Sequence, residues 1–144
     1  MPNEPENSLD KNRKDSPATS ASHLYEYAVI RYVPDVERGE FLNVGLLMMC
    51  KRRRWLRMEV RIPMRRLAAY DAPHSAEDIE RQLDGWHKVA AGDPAAGDMA
   101  SWPVEERYRW LTAAKSASLQ TSPSHPGLSP DLEATFSMLA SRLV

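Results

Sequence analysis

The sequence has little cysteine, no long hydrophobic run and no excess of either charge. Its one cysteine, Cys50, excludes an internal disulfide and leaves no thiolate pair for a structural zinc site. The longest apolar run, 44–50, is far shorter than the roughly 20 residues that a membrane span needs, and no hydrophobic signal region begins the chain. With 19 basic and 20 acidic residues the net charge is -1, which disfavours a protein that coats nucleic acid or anionic membrane. We therefore expect a soluble, cytoplasmic protein without membrane contact.

The length of 144 residues fits a single domain with its own core. Residues 1–22 mix Pro, Asn, Ser and both charge signs, and Leu9 is the only large aliphatic residue among them. Such a composition cannot offset the entropy cost of ordering the chain. The sequence therefore predicts a disordered tail over 1–22 and one α+β domain over 23–144.

Three β-strand patterns follow the predicted tail. Residues 24–33 are rich in β-branched and aromatic side chains, and residues 41–50 are apolar except at Asn43 and Gly45, which is typical of a strand covered on both faces. Residues 55–62 alternate between apolar and charged side chains, as a half-buried strand does. Because the links are short, we expect a three-stranded antiparallel meander with the second strand in the middle.

Helical spacing replaces strand alternation in the second half of the chain. Ser75 and Asp78 fit a capping box that opens a helix ending near Gly92. Pro103 suits the first turn of a second helix, and Pro130 that of a third, which runs to the end of the sequence.

The segment between the last two predicted helices, 116–128, is rich in Ser and Pro, so we expect no regular structure there. The predicted architecture is a small antiparallel sheet with about three helices packed on one of its faces.

Two motifs resemble one known protein family. The run RYVPDVERGEFLNVG (31–45) and the later SLQTSPSHPGL (118–128) are similar to a bacterial family known as domain of unknown function 3037, and the resemblance covers 24–144. It implies no activity, substrate or catalytic residue. It does imply that members are often encoded beside a HipA-like kinase, which makes a protein partner the expectation.

The first predicted hairpin places polar residues inside and beside the sheet. If Val33 faces Phe41, then Arg31 lies opposite Asn43, and Val29 lies opposite Gly45. Together with the downstream histidine, the polar residues of this hairpin form the candidate ligand or partner site, which comprises Arg31, Asp35, Glu37, Glu40, Asn43, Gly45 and His125.

Two interpretations of Arg31 remain open. In the first, Arg31 pairs with one of the loop carboxylates and braces the hairpin, because a charge near a core needs a partner. In the second, Arg31 and Asn43 bind an anionic or polar group, and Gly45 leaves room for it. Gly39 is predicted to be a turn residue at positive φ.

No complete catalytic or metal motif is present. The loop carboxylates have a generic spacing, and neither Ser122 nor Ser124 is placed by sequence to give His125 its proton. We therefore expect no catalytic residues, no metal and no cofactor.

A basic stretch, 51–66, carries eight basic residues and one acidic residue around one tryptophan. The candidate phosphate-binding residues are Arg52, Arg53, Arg54, Trp55 and Arg57, since arginines with an aromatic platform suit a nucleic-acid backbone. The alternative is structural: a hairpin turn, a solvated strand face, and Arg65 and Arg66 paired with the acidic helix that follows.

Three function classes follow from these patterns. The leading hypothesis is a non-enzymatic accessory or regulatory protein that binds a protein partner through the 34–40 loop. The second is a nucleic-acid or phosphate-binding module that uses 51–66. The third is an enzyme, which requires Arg31, Glu40, Asn43 and His125 to converge in one pocket.

Overall fold

The computed structural model describes residues 22–113 and 117–144. The predicted tail therefore lies, apart from Ser22, outside the described residues. The elements in chain order are β1 (His23–Tyr32), β2 (Leu42–Cys50), β3 (Trp55–Val60), α1 (Met64–Ala69), α2 (Ala76–Ala91), a 3₁₀ segment (Pro94–Ser101), α3 (Val104–Thr112), β4 (Leu119–Thr121), β5 (His125–Ser129) and α4 (Leu132–Leu143).

The strands form one antiparallel sheet in which β2 lies between β1 and β3. This confirms the α+β class and the first three strands, but the prediction of only three strands was wrong. Both β4 and β5 pair with the free edge of β1, β4 beside Ile30–Tyr32 and β5 beside His23–Tyr27. The sheet therefore has five strands, and the segment predicted to be irregular supplies two of them.

Specific bonds hold this Ser- and Pro-rich segment as an edge strand. The Ser122 amide donates to the Val29 carbonyl over 2.8 Å, and the Val29 amide donates to the Ser122 hydroxyl over 2.9 Å. Gly127 lies beneath Tyr25, where a Cβ atom would fall 2.4 Å from the ring. Pro126 is tolerated because an edge strand has one side without ladder bonds.

A β-bulge separates the two halves of the β1–β2 ladder. Ile30 pairs with Gly45, but Arg31 already pairs with Asn43, so Val44 is the extra residue. The predicted Arg31–Asn43 pairing is confirmed, whereas Val29 lies opposite Leu46 and not Gly45. The bulge shifts the alternation of β2, so that Val44 and Leu47, although three residues apart, belong to the same core.

Helices cover both faces of the sheet, which corrects the prediction that they pack on one. One core lies between the sheet and α1, α2 and α3, and includes Ile30, Leu47, Ile79 and Leu111. The other lies beneath α4 and includes Leu46, Met48, Phe136 and Leu139. The physical reason is the two-sided apolar character of β2, since a central strand that is apolar on both faces must be covered on both.

The capping box predicted for α2 is confirmed. The Ser75 hydroxyl accepts from the Asp78 amide, the Asp78 carboxylate accepts from the Ser75 amide, and Gly92 closes the helix at φ 68°. The hydrogen bond from the Ser75 amide, followed by that from Arg81, lowers the pKa of Asp78.

The other helix starts differ slightly from their predictions. Pro103 immediately precedes α3, and α4 begins after Asp131, whose carboxylate accepts from the Ala134 amide. The short helix α1 was not predicted. Within the described residues no helix combines the length and the apolar character that crossing a membrane requires.

Candidate functional site

The loop between β1 and β2 is exposed and supports its own shape. The Glu37 amide donates to Asp35 Oδ1 over 3.0 Å, and the Gly39 amide donates to the Asp35 carbonyl over 3.2 Å. Gly39 has φ 73°, as predicted for a turn residue, and Arg38 forms an ion pair of 2.6 Å with Glu40. The loop thus makes its stabilising contacts within itself.

Arg31 does not brace this loop. Neither Asp35 nor Glu40 pairs with it, because their carboxylates are engaged within the loop, and Glu37 also makes no ion pair with it. The guanidinium instead lies over the Phe41 ring, with Cζ 4.0 Å from the ring centre. Its Nε is buried and has no hydrogen-bond partner among the described residues. The predicted ion-pair interpretation is therefore wrong.

Asn43 ties the end of α4 to the sheet. Its Nδ2 donates to the Leu143 carbonyl over 3.0 Å, whereas its buried Oδ1 has no partner in the described part of the chain. Arg31 lies on the sheet face that α4 covers, because it is two residues from Val29 on β1, and its cross-strand partner Asn43 lies on the same face. Two incompletely bonded polar groups thus lie side by side at the end of α4.

Gly45 contributes no open space to this pair. A Cβ atom there would lie 2.8 Å from the Glu59 carbonyl oxygen and 3.0 Å from Ile30 Cδ1. The missing side chain lets neighbouring strands approach at the bulge, so the space predicted for a ligand is already filled.

The strand that carries His125, β5, pairs with β1, but His125 remains distant from Arg31. His125 pairs with Tyr27, and their ring centres are 5.1 Å apart. Tyr27 and Arg31 are four residues apart on β1, so about 13 Å separates the two backbone positions. With Glu40 held by Arg38, the four groups of the enzyme hypothesis do not meet in one pocket.

A cleft of about 530 Å³ lies between the loop and the end of α1. Asp35, Arg38 and Glu40 line one side, and Ala69, Tyr70 and Asp71 line the other. The sequence did not indicate this cleft, because α1 is a short helix without a capping signal.

Some arginines of the basic stretch make ion pairs in the fold, and others make none with any described residue. Lys51–Arg54 form the exposed β2–β3 turn, in which Arg52, Arg53 and Arg54 have no ion pair with any described residue. Arg57 instead makes a bidentate ion pair with Glu133 of α4, and Trp55 Nε1 donates to the same carboxylate over 3.3 Å.

Trp55 is therefore a poor stacking platform. Its ring meets Phe136 edge-on at 6.0 Å, and the Arg57 guanidinium lies 5.4 Å from its centre. The predicted pairing of Arg65 and Arg66 with the acidic start of α2 is wrong, because Asp78 binds Arg81 over 3.0 Å and neither arginine makes an ion pair in the described residues.

A chain of hydrogen bonds that the sequence did not reveal joins α3 to β1 through Ser124, the residue before β5. Ser124 Oγ lies 2.7 Å from the Tyr108 hydroxyl and donates to Glu26 Oε1 over 3.1 Å, so it is not paired with His125. Burial raises the pKa of Tyr108 to about 12. Nothing in the sequence indicated that Tyr108 and Ser124 are partners.

The described residues contain no group of three or more His, Cys, Asp or Glu side chains that could hold a metal ion.

A family model described as a protein of unknown function (DUF3037) matches residues 27–144. Because the match covers most of the sequence, the chain belongs to the DUF3037 family. Neither the curated proteins nor the solved structures contain a match to it.

Proposed function

We propose that this DUF3037 protein is a non-enzymatic accessory or regulatory protein that binds a protein partner through residues 34–41, here called the partner loop. The observation that carries the proposal is that the loop is preformed and displays apolar side chains to solvent. Val36 is 51% exposed and Phe41 is 43% exposed, although the loop between them is fixed by its own hydrogen bonds and ion pair.

A preformed loop favours binding because little conformational entropy is lost on association. The adjoining cleft adds a concave, mostly polar surface next to the exposed apolar side chains of the loop. The dispersal of Arg31, Glu40 and His125 further favours a binding role over the enzyme hypothesis.

The family resemblance implies that the partner is a HipA-like kinase encoded nearby. A photo-crosslinking amino acid at position 36 of the full chain, expressed in the native host, tests this without assuming the answer. The same amino acid at Met138, which is 47% exposed on α4, is the matched control. We expect a partner crosslinked from position 36 and absent from position 138.

The purified partner then allows a quantitative test. We expect Val36→Asp to weaken the affinity at least tenfold, about 1.4 kcal/mol, because a charge would be buried at the interface. Met138→Asp should leave the affinity unchanged. Equal effects of the two variants, or repeated failure to crosslink any partner from position 36, would refute the proposed function.

The second candidate function is phosphate-backbone binding by Arg52, Arg53 and Arg54, supported by their exposure and lack of ion pairs in the described chain. It is the weaker proposal because Trp55 and Arg57 are already engaged by Glu133. A salt-dependent gel shift that disappears when the three arginines are replaced by glutamine would support it, and no shift at low salt would exclude it.

A further inference from the structure

Arg31 is a fixed cation without a counter-charge. In the part of the chain that the structure describes it forms neither an ion pair nor a side-chain hydrogen bond, although its Nε is buried. The nearest carboxylates in sequence do not reach it, since Asp35 and Glu40 are held within the partner loop. A partly desolvated guanidinium is stabilised by an anion, so the structure leaves one interaction to be supplied from outside.

Phe41 orients this cation. Arg31 Cζ lies above the Phe41 ring, 4.0 Å from its centre. A stacked guanidinium still offers the N–H donors at its edge, and two parallel donors match the two oxygens of a carboxylate. Because Phe41 also belongs to the partner loop, a ligand of Arg31 would lie at the border of the proposed interface.

Asn43 is suited to position the guanidinium. It is the cross-strand partner of Arg31, and the Leu143 carbonyl holds its Nδ2. Its Oδ1 lacks a donor, and Arg31 Nε lacks an acceptor. A hydrogen bond between these complementary atoms, formed as a ligand binds, would leave the two Nη groups of Arg31 for that ligand.

The local charge favours a singly charged ligand. The partner loop carries three carboxylates, Asp35, Glu37 and Glu40, and one arginine, which is already paired. A phosphate dianion would be repelled by these carboxylates more strongly than a carboxylate would, and it usually needs more than one cation.

We propose that Arg31 binds a carboxylate of the protein partner, that of an aspartate or glutamate side chain, with Phe41 as the stacking surface and Asn43 as a positioning residue. One part of this proposal rests on the proposed function, namely that the carboxylate belongs to a protein partner. The interaction itself can be measured without the partner.

The test uses the isotopically labelled full chain and follows the Arg31 Nε–H and Phe41 ring signals by NMR. N-acetyl-aspartate methylamide is the probe, with the asparagine and phosphoserine analogues as comparisons. We expect saturable shifts with the aspartate compound and at least tenfold weaker binding of the neutral asparagine compound. Arg31→Gln should abolish the response, and Arg81→Gln, which removes an exposed arginine paired with Asp78 on α2, should preserve it.

The Asn43→Asp variant supplies a second readout. An internal carboxylate beside Arg31 should shift the Nε–H signal of the free protein and block the aspartate probe. Asn43→Ser also removes the amide that bonds to the Leu143 carbonyl but adds no charge, so it should not block the probe. The backbone amide spectrum reports whether each variant is folded.

Several results would overturn the carboxylate proposal. These are unchanged Arg31 signals, equal binding of the asparagine compound, or tighter binding of the phosphoserine compound. A partner that binds through Val36 while the aspartate probe leaves Arg31 unaffected would refute this inference alone. A positive probe response with no effect of Val36→Asp on the partner would refute the proposed function alone.

Discussion

Gly45 shows how one residue determines the junction of three strands. It lies at the bulge, where the Glu59 carbonyl and the Ile30 side chain occupy the position that a Cβ atom would take. A backbone carbonyl cannot move aside as the end of a flexible side chain can. The glycine is therefore required by packing, and this requirement explains why an apolar central strand tolerates it.

Gly45→Ala should therefore destabilise the protein. We expect the free energy of unfolding to fall by about 1–3 kcal/mol, the usual cost of overpacking a core. Urea denaturation followed by tryptophan fluorescence measures this change.

Gly85 in α2 is the matched control, because no atom lies within 4 Å of its missing Cβ. Gly85→Ala should raise the free energy of unfolding by about 0.5–1 kcal/mol, since alanine is the better helix former. If the two substitutions have similar effects, crowding at Gly45 does not set its cost.

For Arg31 and Asn43, the residue pattern predicted their pairing across the strands but not the partners of their side chains. Counting back from the hairpin gave their pairing correctly, since the pair precedes the bulge. The absence of an ion pair could not be predicted, because it depends on Asp35 and Glu40 taking partners inside the loop. Whether an arginine is braced or available is decided by competition among nearby groups.

At the scale of elements, local sequence signals predicted α2, whereas β4 and β5, which depend on long-range hydrogen bonds, were not predicted. The Ser75–Asp78 capping box and Gly92 lie within the helix they define. In contrast, β4 and β5 depend on bonds such as that between Val29 and Ser122, which are 93 residues apart in sequence. Ser and Pro disfavour strands locally, but an edge position and pairing with β1 override that preference.

The face of the sheet that α4 covers was not predicted, for a related reason. Its apolar stripe predicted an amphipathic helix, but a stripe does not say which face of the sheet it covers. The two-sided apolar pattern of β2 contained that information, because three helices on one face would have left Leu46 and Met48 exposed.

Tyr108 links two elements and should make their association dependent on pH. Its hydroxyl bonds to Ser124, which joins α3 to the residue before β5, and burial raises its pKa from 10.0 to about 12. The unfolded chain therefore ionises this group first as pH rises. The stabilisation is complete below pH 10 and is lost as pH rises towards 12.

Comparison with Tyr108→Phe isolates this contribution from those of other groups. Near neutral pH the variant should be less stable by about 1 kcal/mol, because the Ser124 hydrogen bond is lost. Between pH 8 and pH 11 the wild type should lose about 1.4 kcal/mol relative to the variant. Urea denaturation at both pH values tests this, and a constant difference would show that Tyr108 does not carry the pH dependence.

At the scale of the whole molecule, the sheet must be closed along the outer edge of β1. A free edge strand offers unpaired N–H and C=O groups to another chain. Here β4 and β5 cover β1 from both ends, and Ser122 bridges the break between them through two bonds to Val29. The family motif around Ser122 thus has a structural role that is independent of any ligand.

Ser122→Ala should loosen this closure. The Val29 amide would lose its acceptor while remaining buried, which costs about 1–3 kcal/mol. We expect faster hydrogen exchange in β1 and β5 and a greater tendency to self-associate, because opening the β4–β5 segment exposes the edge of β1. Ser101→Ala removes an exposed hydroxyl that bonds only to the Asp98 carbonyl, so its effect should stay within about 0.5 kcal/mol. Exchange rates in β1 that match those of the Ser101 variant would show that the edge is held by the strand ladders alone.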